Sequence, residues 1–119
     1  MTNFNMCAMD SVAATIANGT SLSGNLNLGG LRLFGIVMPS AWTSASLTFL
    51  MSPDGGTTWV SMFDINGNEL TATVAASHFV ALDPTLFASV QMLQIRSGTS
   101  GAPVAQGANR QLTLVLRAV

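Results

Sequence analysis

Apolar residues return at every second position along most of this chain, the spacing at which side chains fall on one face of a strand. Val12, Ala14 and Ile16 alternate with Ser11, Ala13 and Thr15, and Leu22, Gly24, Leu26 and Leu28 alternate with Ser23, Asn25 and Asn27. Both runs predict half-buried strands. Residues 31–38 are apolar on both faces, with Leu33 and Val37 on one and Phe34 and Ile36 on the other. That predicts a central strand, or one whose outer face meets a partner. Leu47, Phe49 and Met51 alternate with Ser46, Thr48 and Leu50, and residues 58–63 continue with Trp59 and Phe63 on one side. Further strands are expected over residues 70–74, 78–82, 93–96 and 111–117.

Turn signals separate these runs: Asn18-Gly19, Gly29-Gly30, Pro53-Asp54-Gly55-Gly56, Asn66-Gly67 and the stretch 97–103. The regular spacing of short strands is that of an all-β sandwich or barrel. Eight or nine strands with mixed connection lengths suit a jelly-roll-like or Greek-key β-sandwich, in which two sheets bury their inner faces against each other. One helical signal interrupts the pattern. Asp83 followed by Pro84 makes a good N-cap and first helical position, so residues 85–90 are expected to form one or two turns. No repeat of 20 to 50 residues is visible, which argues against a propeller or solenoid. Residues 1–9 alternate Phe4 and Met6 with Asn3 and Asn5 before the first strand. They are read as an N-terminal arm that lies on a neighbouring subunit, ahead of a sandwich domain over residues 10–119.

Composition narrows what such a sandwich can do. At 119 residues it has room for one core. Charged residues are 8% of the chain, the net charge is -1, and all four bases are arginine. An ordinary soluble domain carries about 25% charged residues. Arg32, Arg96, Arg110 and Arg117 do not form the basic stripe that phosphate binding requires, so nucleic acid is excluded as a partner. Mean hydropathy is +0.48, yet polar residues or glycines interrupt every apolar run before the about 20 residues of a membrane span. The N-terminus carries no basic and apolar signal pattern, and synthesis in a cytosol is expected. With one cysteine, Cys7, and one histidine, His78, neither an internal disulfide nor a Cys/His zinc site is available. No metal or cofactor is expected, and the scarcity of charge points instead to surfaces covered by partners.

The candidate sites read mostly as structure. Ser52-Pro53-Asp54-Gly55-Gly56-Thr57-Thr58-Trp59 fits the Asp-box pattern Ser-x-Asp-x-Gly-x-Thr-Trp. In it the carboxylate of Asp54 collects turn amides, Gly56 permits an unusual φ and Trp59 packs back over the turn, closed by Ser52. A hairpin staple is expected. Asp64-Ile65-Asn66-Gly67-Asn68-Glu69 offers oxygens for calcium, but its glycine is fourth and not sixth, and Asn-Gly predicts a two-residue hairpin turn. His78 has no nucleophile motif beside it and is expected at the surface end of a strand, and Cys7 has no basic neighbour to activate it. Catalysis is therefore not expected. Trp42, Trp59 and Phe34 offer a sugar-stacking platform as one alternative and interface packing as the other. Arg96, Arg110 and Arg117 are expected as hydrogen-bond anchors.

The run Leu33-Phe34-Gly35-Ile36-Val37-Met38-Pro39-Ser40-Ala41-Trp42-Thr43, the Ser52 to Trp59 hairpin, and the later runs Ile95-Arg96-Ser97-Gly98-Thr99 and Gln106-Gly107-Ala108-Asn109-Arg110-Gln111-Leu112 together resemble small structural proteins of tailed bacteriophages and prophages. Members of this kind resemble head decoration, or cement, proteins. The resemblance implies a location in the virion, with the major capsid protein and copies of the chain itself, as dimer or trimer, as partners. It carries no catalytic or ligand residues. Phe4, Met6, Phe34, Ile36, Trp42, Arg96 and Arg110 are the expected interface residues. A glycan-binding component, or one placed in the neck, tail or fibre, is the alternative.

Overall fold

The structure is a computed structural model that describes residues 9–118. Nine strands form in the expected places: β1 (Met9–Ile16), β2 (Leu26–Asn27), β3 (Arg32–Val37), β4 (Leu47–Ser52), β5 (Val60–Ser61), β6 (Thr71–Ala72), β7 (Phe79–Ala81), β8 (Met92–Ser97) and β9 (Arg110–Arg117). They build two antiparallel sheets. The first has the order β1-β9-β3-β7, and the second β2-β8-β4-β5, with β6 also paired to β4.

This order has a simple origin. The chain behaves as one long hairpin whose arms pair β1 with β9, β2 with β8, β3 with β7, and β4 with β5 and β6. Successive pairs fall alternately in the first and the second sheet, so the hairpin is rolled up. That is the jelly-roll arrangement. Inner faces of the two sheets meet in one core: Ala14, Ile16, Leu33, Ile36, Leu112, Leu114 and Leu116 from the first, Leu26, Leu47, Phe49, Leu93 and Ile95 from the second. Burying each of the larger side chains contributes about 1.5–3 kcal/mol. Asp83 caps a single 3-10 turn at Pro84–Phe87, accepting from the Thr85 amide, and Phe87 meets Phe49 edge-on with ring centroids 5.2 Å apart.

Three details depart from the sequence reading. Between Leu33 and Gly35 the register of β3 against β9 shifts, leaving Phe34 as an extra residue. A bulge of this kind reverses the inward–outward alternation. Leu33 and Ile36 therefore both point into the core and Val37 points out, so Ile36, expected beside Phe34 on a partner-facing side, is fully buried. The run expected over residues 58–63 is a two-residue strand, and Phe63 joins only through a bridge to Glu69. Finally, the Asn66-Gly67 pair does not form the two-residue turn. The Gly67 amide donates to the Asp64 carbonyl at 3.0 Å and the Asp64 amide to the Asn68 carbonyl at 2.8 Å. Gly67 alone takes a positive φ, 84°, which is a type I turn closed by a glycine bulge.

Candidate functional site

The Asp-box hairpin is held by hydrogen bonds within residues 52–59. Ser52 Oγ donates to Asp54 Oδ1 at 2.8 Å and accepts from the Gly56 amide at 2.7 Å. Asp54 Oδ1 also accepts from the amides of Thr57 at 3.1 Å and Thr58 at 2.8 Å. The Thr58 amide first, then the Ser52 hydroxyl, stabilise the ionised carboxylate, and its pKa falls from 3.8 to about 2. Gly56 has φ 107°, and Trp59 donates its indole N–H to the Gly56 carbonyl at 3.1 Å. All of the aspartate's hydrogen bonds here run within the hairpin, so the geometry is that of a clasp.

Asp64 is used in the same way. Its Oδ1 accepts from the amides of Asn66 at 2.8 Å and Asn68 at 2.9 Å. Among the described residues no group of three or more His, Cys, Asp or Glu side chains converges. His78 lies exposed immediately before β7.

Two of the expected interface arginines turn inward on the chain's own hydroxyls and carboxylate. Arg96 donates from Nε to Thr48 Oγ1 at 3.0 Å, and from Nη2 to Ser61 Oγ at 3.1 Å and Glu69 Oε2 at 2.8 Å. Thr48, fully buried, passes its own proton to the Gly98 carbonyl at 2.7 Å. Glu69 further accepts from the Ser100 amide. This network ties β4, β5 and β8 to the loops on either side of them and covers the outer face of the second sheet. The Asp-box hairpin approaches the same face, for a Cβ added to Gly56 would sit 3.6 Å from the Met92 methyl.

Arg110 belongs to a second clasp, centred on Gln106, which sequence reading missed. Buried Gln106 donates from Nε2 to Ser97 Oγ at 2.7 Å and the Thr43 carbonyl at 3.0 Å. Its Oε1 accepts from the Thr43 amide at 2.9 Å and from Arg110 Nε at 3.1 Å. Its main chain bonds to Thr20 and Gly19 at 2.9 and 2.8 Å. All four side-chain hydrogen-bonding positions of the amide are filled. Trp42, next to this clasp, packs against the core and donates its indole N–H to the Ala45 carbonyl at 3.1 Å. Both tryptophans are half-buried. Each spends its N–H on a carbonyl of its own loop.

The outer face of the first sheet is different. Phe34 is half-buried there, while Val37 is 41% and Phe79 56% exposed, with Ala13, Thr15 and Ala81 also exposed. Arg32 and Arg117 stand directly opposite each other on neighbouring strands, an arrangement of like charges that costs stability. On the β5–β6 hairpin Phe63 is 53% and Ile65 100% exposed. An open depression of about 320 Å³ lies between residues 29–32 and 88–91, with Arg32 its charged member. Phe4, Met6 and Cys7 lie outside the described residues.

The fold and these surfaces define a small jelly-roll β-sandwich with internal hydrogen-bonded clasps, and with exposed apolar residues on the outer face of the first sheet and on the β5–β6 hairpin. No family model and no curated protein matches the chain. Among solved structures, the crystal structure of SPBc2 prophage-derived protein YomS is similar, with a TM-score of 0.53 and 13% sequence identity, over 98% of this chain and 100% of that one. At that identity the likeness is one of fold. No helix among the described residues is long and apolar enough to cross a membrane.

Proposed function

We propose that the chain is a non-enzymatic structural protein of a bacteriophage particle, and that it decorates and reinforces the assembled head shell. The observation that carries this reading is the distribution of apolar surface on a rigid sandwich. Phe79 and Val37 lie open on one sheet and Ile65 stands fully exposed at a hairpin tip, while much of the chain's small stock of charge is spent on internal clasps. An apolar isoleucine at a hairpin tip costs hydration in the free protein and is repaid when a partner covers it. The likeness in fold to a prophage-derived protein supports a phage origin, as do the sequence runs that resemble virion proteins. The partners are the major capsid protein and copies of the chain itself. Arm residues Phe4 and Met6 add apolar contacts to the same shell, and repeated weak contacts on a symmetric lattice sum to avidity.

Binding to assembled heads lacking the protein tests the proposal. Wild-type chain is expected to saturate such heads, Ile65→Asp to bind with lower occupancy, and the chain without residues 1–9 to bind still more weakly. Failure of the wild type to bind any head preparation overturns the reading.

A further inference from the structure

Every antiparallel sheet in a sandwich has two edges, and this fold treats its four edges very unequally. β7, β2 and β5 are three, two and two residues long. Such short edges offer little to a passing strand. β1 is eight residues long and regular, pairing with β9 in unbroken register from Met9 to Ile16. Its other side pairs, among the described residues, only where Ile16 bridges to Ser23. Of the devices that normally protect an edge it carries one, its single charge Asp10, whose carboxylate accepts from the Ser11 amide at 2.7 Å; there is no proline, no lysine and no bulge.

We infer that the free edge of β1, over residues 9–15, pairs antiparallel with β1 of a second copy, joining two first sheets into one continuous eight-stranded sheet. The inference refines the self-association within the proposed function and rests on that part of it. Symmetry fixes the register. A twofold axis perpendicular to the sheet keeps each side chain on its own face, so paired residues must share parity and the axis must pass through a residue position. The midpoint of residues 9–15 is Val12. Val12 then faces Val12, Ser11 faces Ala13, Asp10 faces Ala14 and Met9 faces Thr15. No pair sets two large side chains or two like charges directly against each other. The two Asp10 carboxylates fall four residues apart along the strands, about 14 Å at the rise of a β-strand, beyond the about 10 Å screening length at 0.1 M salt.

The test uses the full chain and its Ser11→Pro variant. The Ser11 amide donates to its own Asp10 carboxylate at 2.7 Å, so proline there removes a donor on which the β1–β9 ladder does not rely, and edge strands tolerate proline at such positions. Light scattering is expected to give twice the chain mass for the wild type and the single-chain mass for Ser11→Pro, with unchanged circular dichroism. A monomeric wild type overturns the inference, and so does a dimer that survives Ser11→Pro. A second measurement guards against misfolding of the proline variant. In a Cys7→Ser background, Ser11→Cys and Ala13→Cys chains are mixed and oxidised. Disulfide-linked dimers should form in the mixture well above either variant alone, and equal yields in all three samples overturn the register. None of these readouts involves a phage head, so their failure is distinguishable from failure of the decoration reading.

Discussion

The ring of Phe79 in β7 occupies the space where a side chain at Gly35 in β3 would stand. A Cβ added to Gly35 would lie 2.6 Å from Phe79 Cε1 and 2.9 Å from the Val80 carbonyl oxygen. Neither approach is sustainable, so glycine at the bulge of β3 is what lets an aromatic ring lie across the outer face of the first sheet. Cross-strand covering of a glycine by an aromatic is a known way of stabilising a sheet.

Gly35→Ala should destabilise the protein by about 1–3 kcal/mol, the usual range for overpacking, as read from urea midpoints. Phe79→Leu in the same chain should recover part of the loss, since it removes the ring but leaves the Val80 carbonyl. Strict additivity of the two substitutions would contradict the contact.

Asp54 predicts a pH dependence with a definite sign. Its folded pKa, about 2, is below the ordinary 3.8, so its contribution to stability is fully present above the ordinary value and is lost as pH falls toward about 2. Asp83, lowered by the Thr85 hydroxyl and amide, acts in the same direction. Asp54→Ala should be less stable than the wild type at pH 6, and the gap should close on acidification between about pH 4 and 2. A gap independent of pH would mean that the carboxylate does not clasp the hairpin.

Gln106→Leu should rank among the more damaging single changes, costing at least about 2 kcal/mol, because it orphans the Thr43 amide and carbonyl together with Ser97 Oγ. Hydrogen exchange at the Thr43 amide is the specific readout and should accelerate. Unaltered exchange would show that the clasp is dispensable.

Arg117→Glu should stabilise the isolated chain by about 0.2–1 kcal/mol, since it replaces a like-charge pair opposite Arg32 by an opposite-charge one. A thermal melt at low salt measures this, and the gain should shrink as salt rises. Destabilisation would mean that Arg117 has a partner within the chain.

Much of the architecture was legible because period-two alternation directly reports which face of a strand is buried. Leu112, Leu114 and Leu116 in β9, and Leu47 and Phe49 in β4, fall in the core where that spacing puts them. The Asp box was legible because its hydrogen bonds are local, confined to residues 52–59. Ile36 was misplaced because one extra residue, Phe34, reverses the phase, and a bulge leaves no mark in hydropathy. Gln106 was invisible for another reason. Its Thr43 partners lie 63 residues away in the chain, and an isolated glutamine in a Gly- and Ala-rich loop reads as exposed until the fold brings those partners to it. Arg96 was seen as an anchor, but pairing with Glu69 across 27 residues depends on β4, β5 and β8 being neighbours.

The central claim is that this sandwich is a decorating component of a phage head, and the number of copies per particle tests it most directly. Quantitative mass spectrometry of purified particles from the phage or prophage encoding the chain should find it in the hundreds per head, scaling with the major capsid protein. A handful of copies would place it in a neck or tail ring, and its absence from the particle, like that low count, would contradict the decoration account.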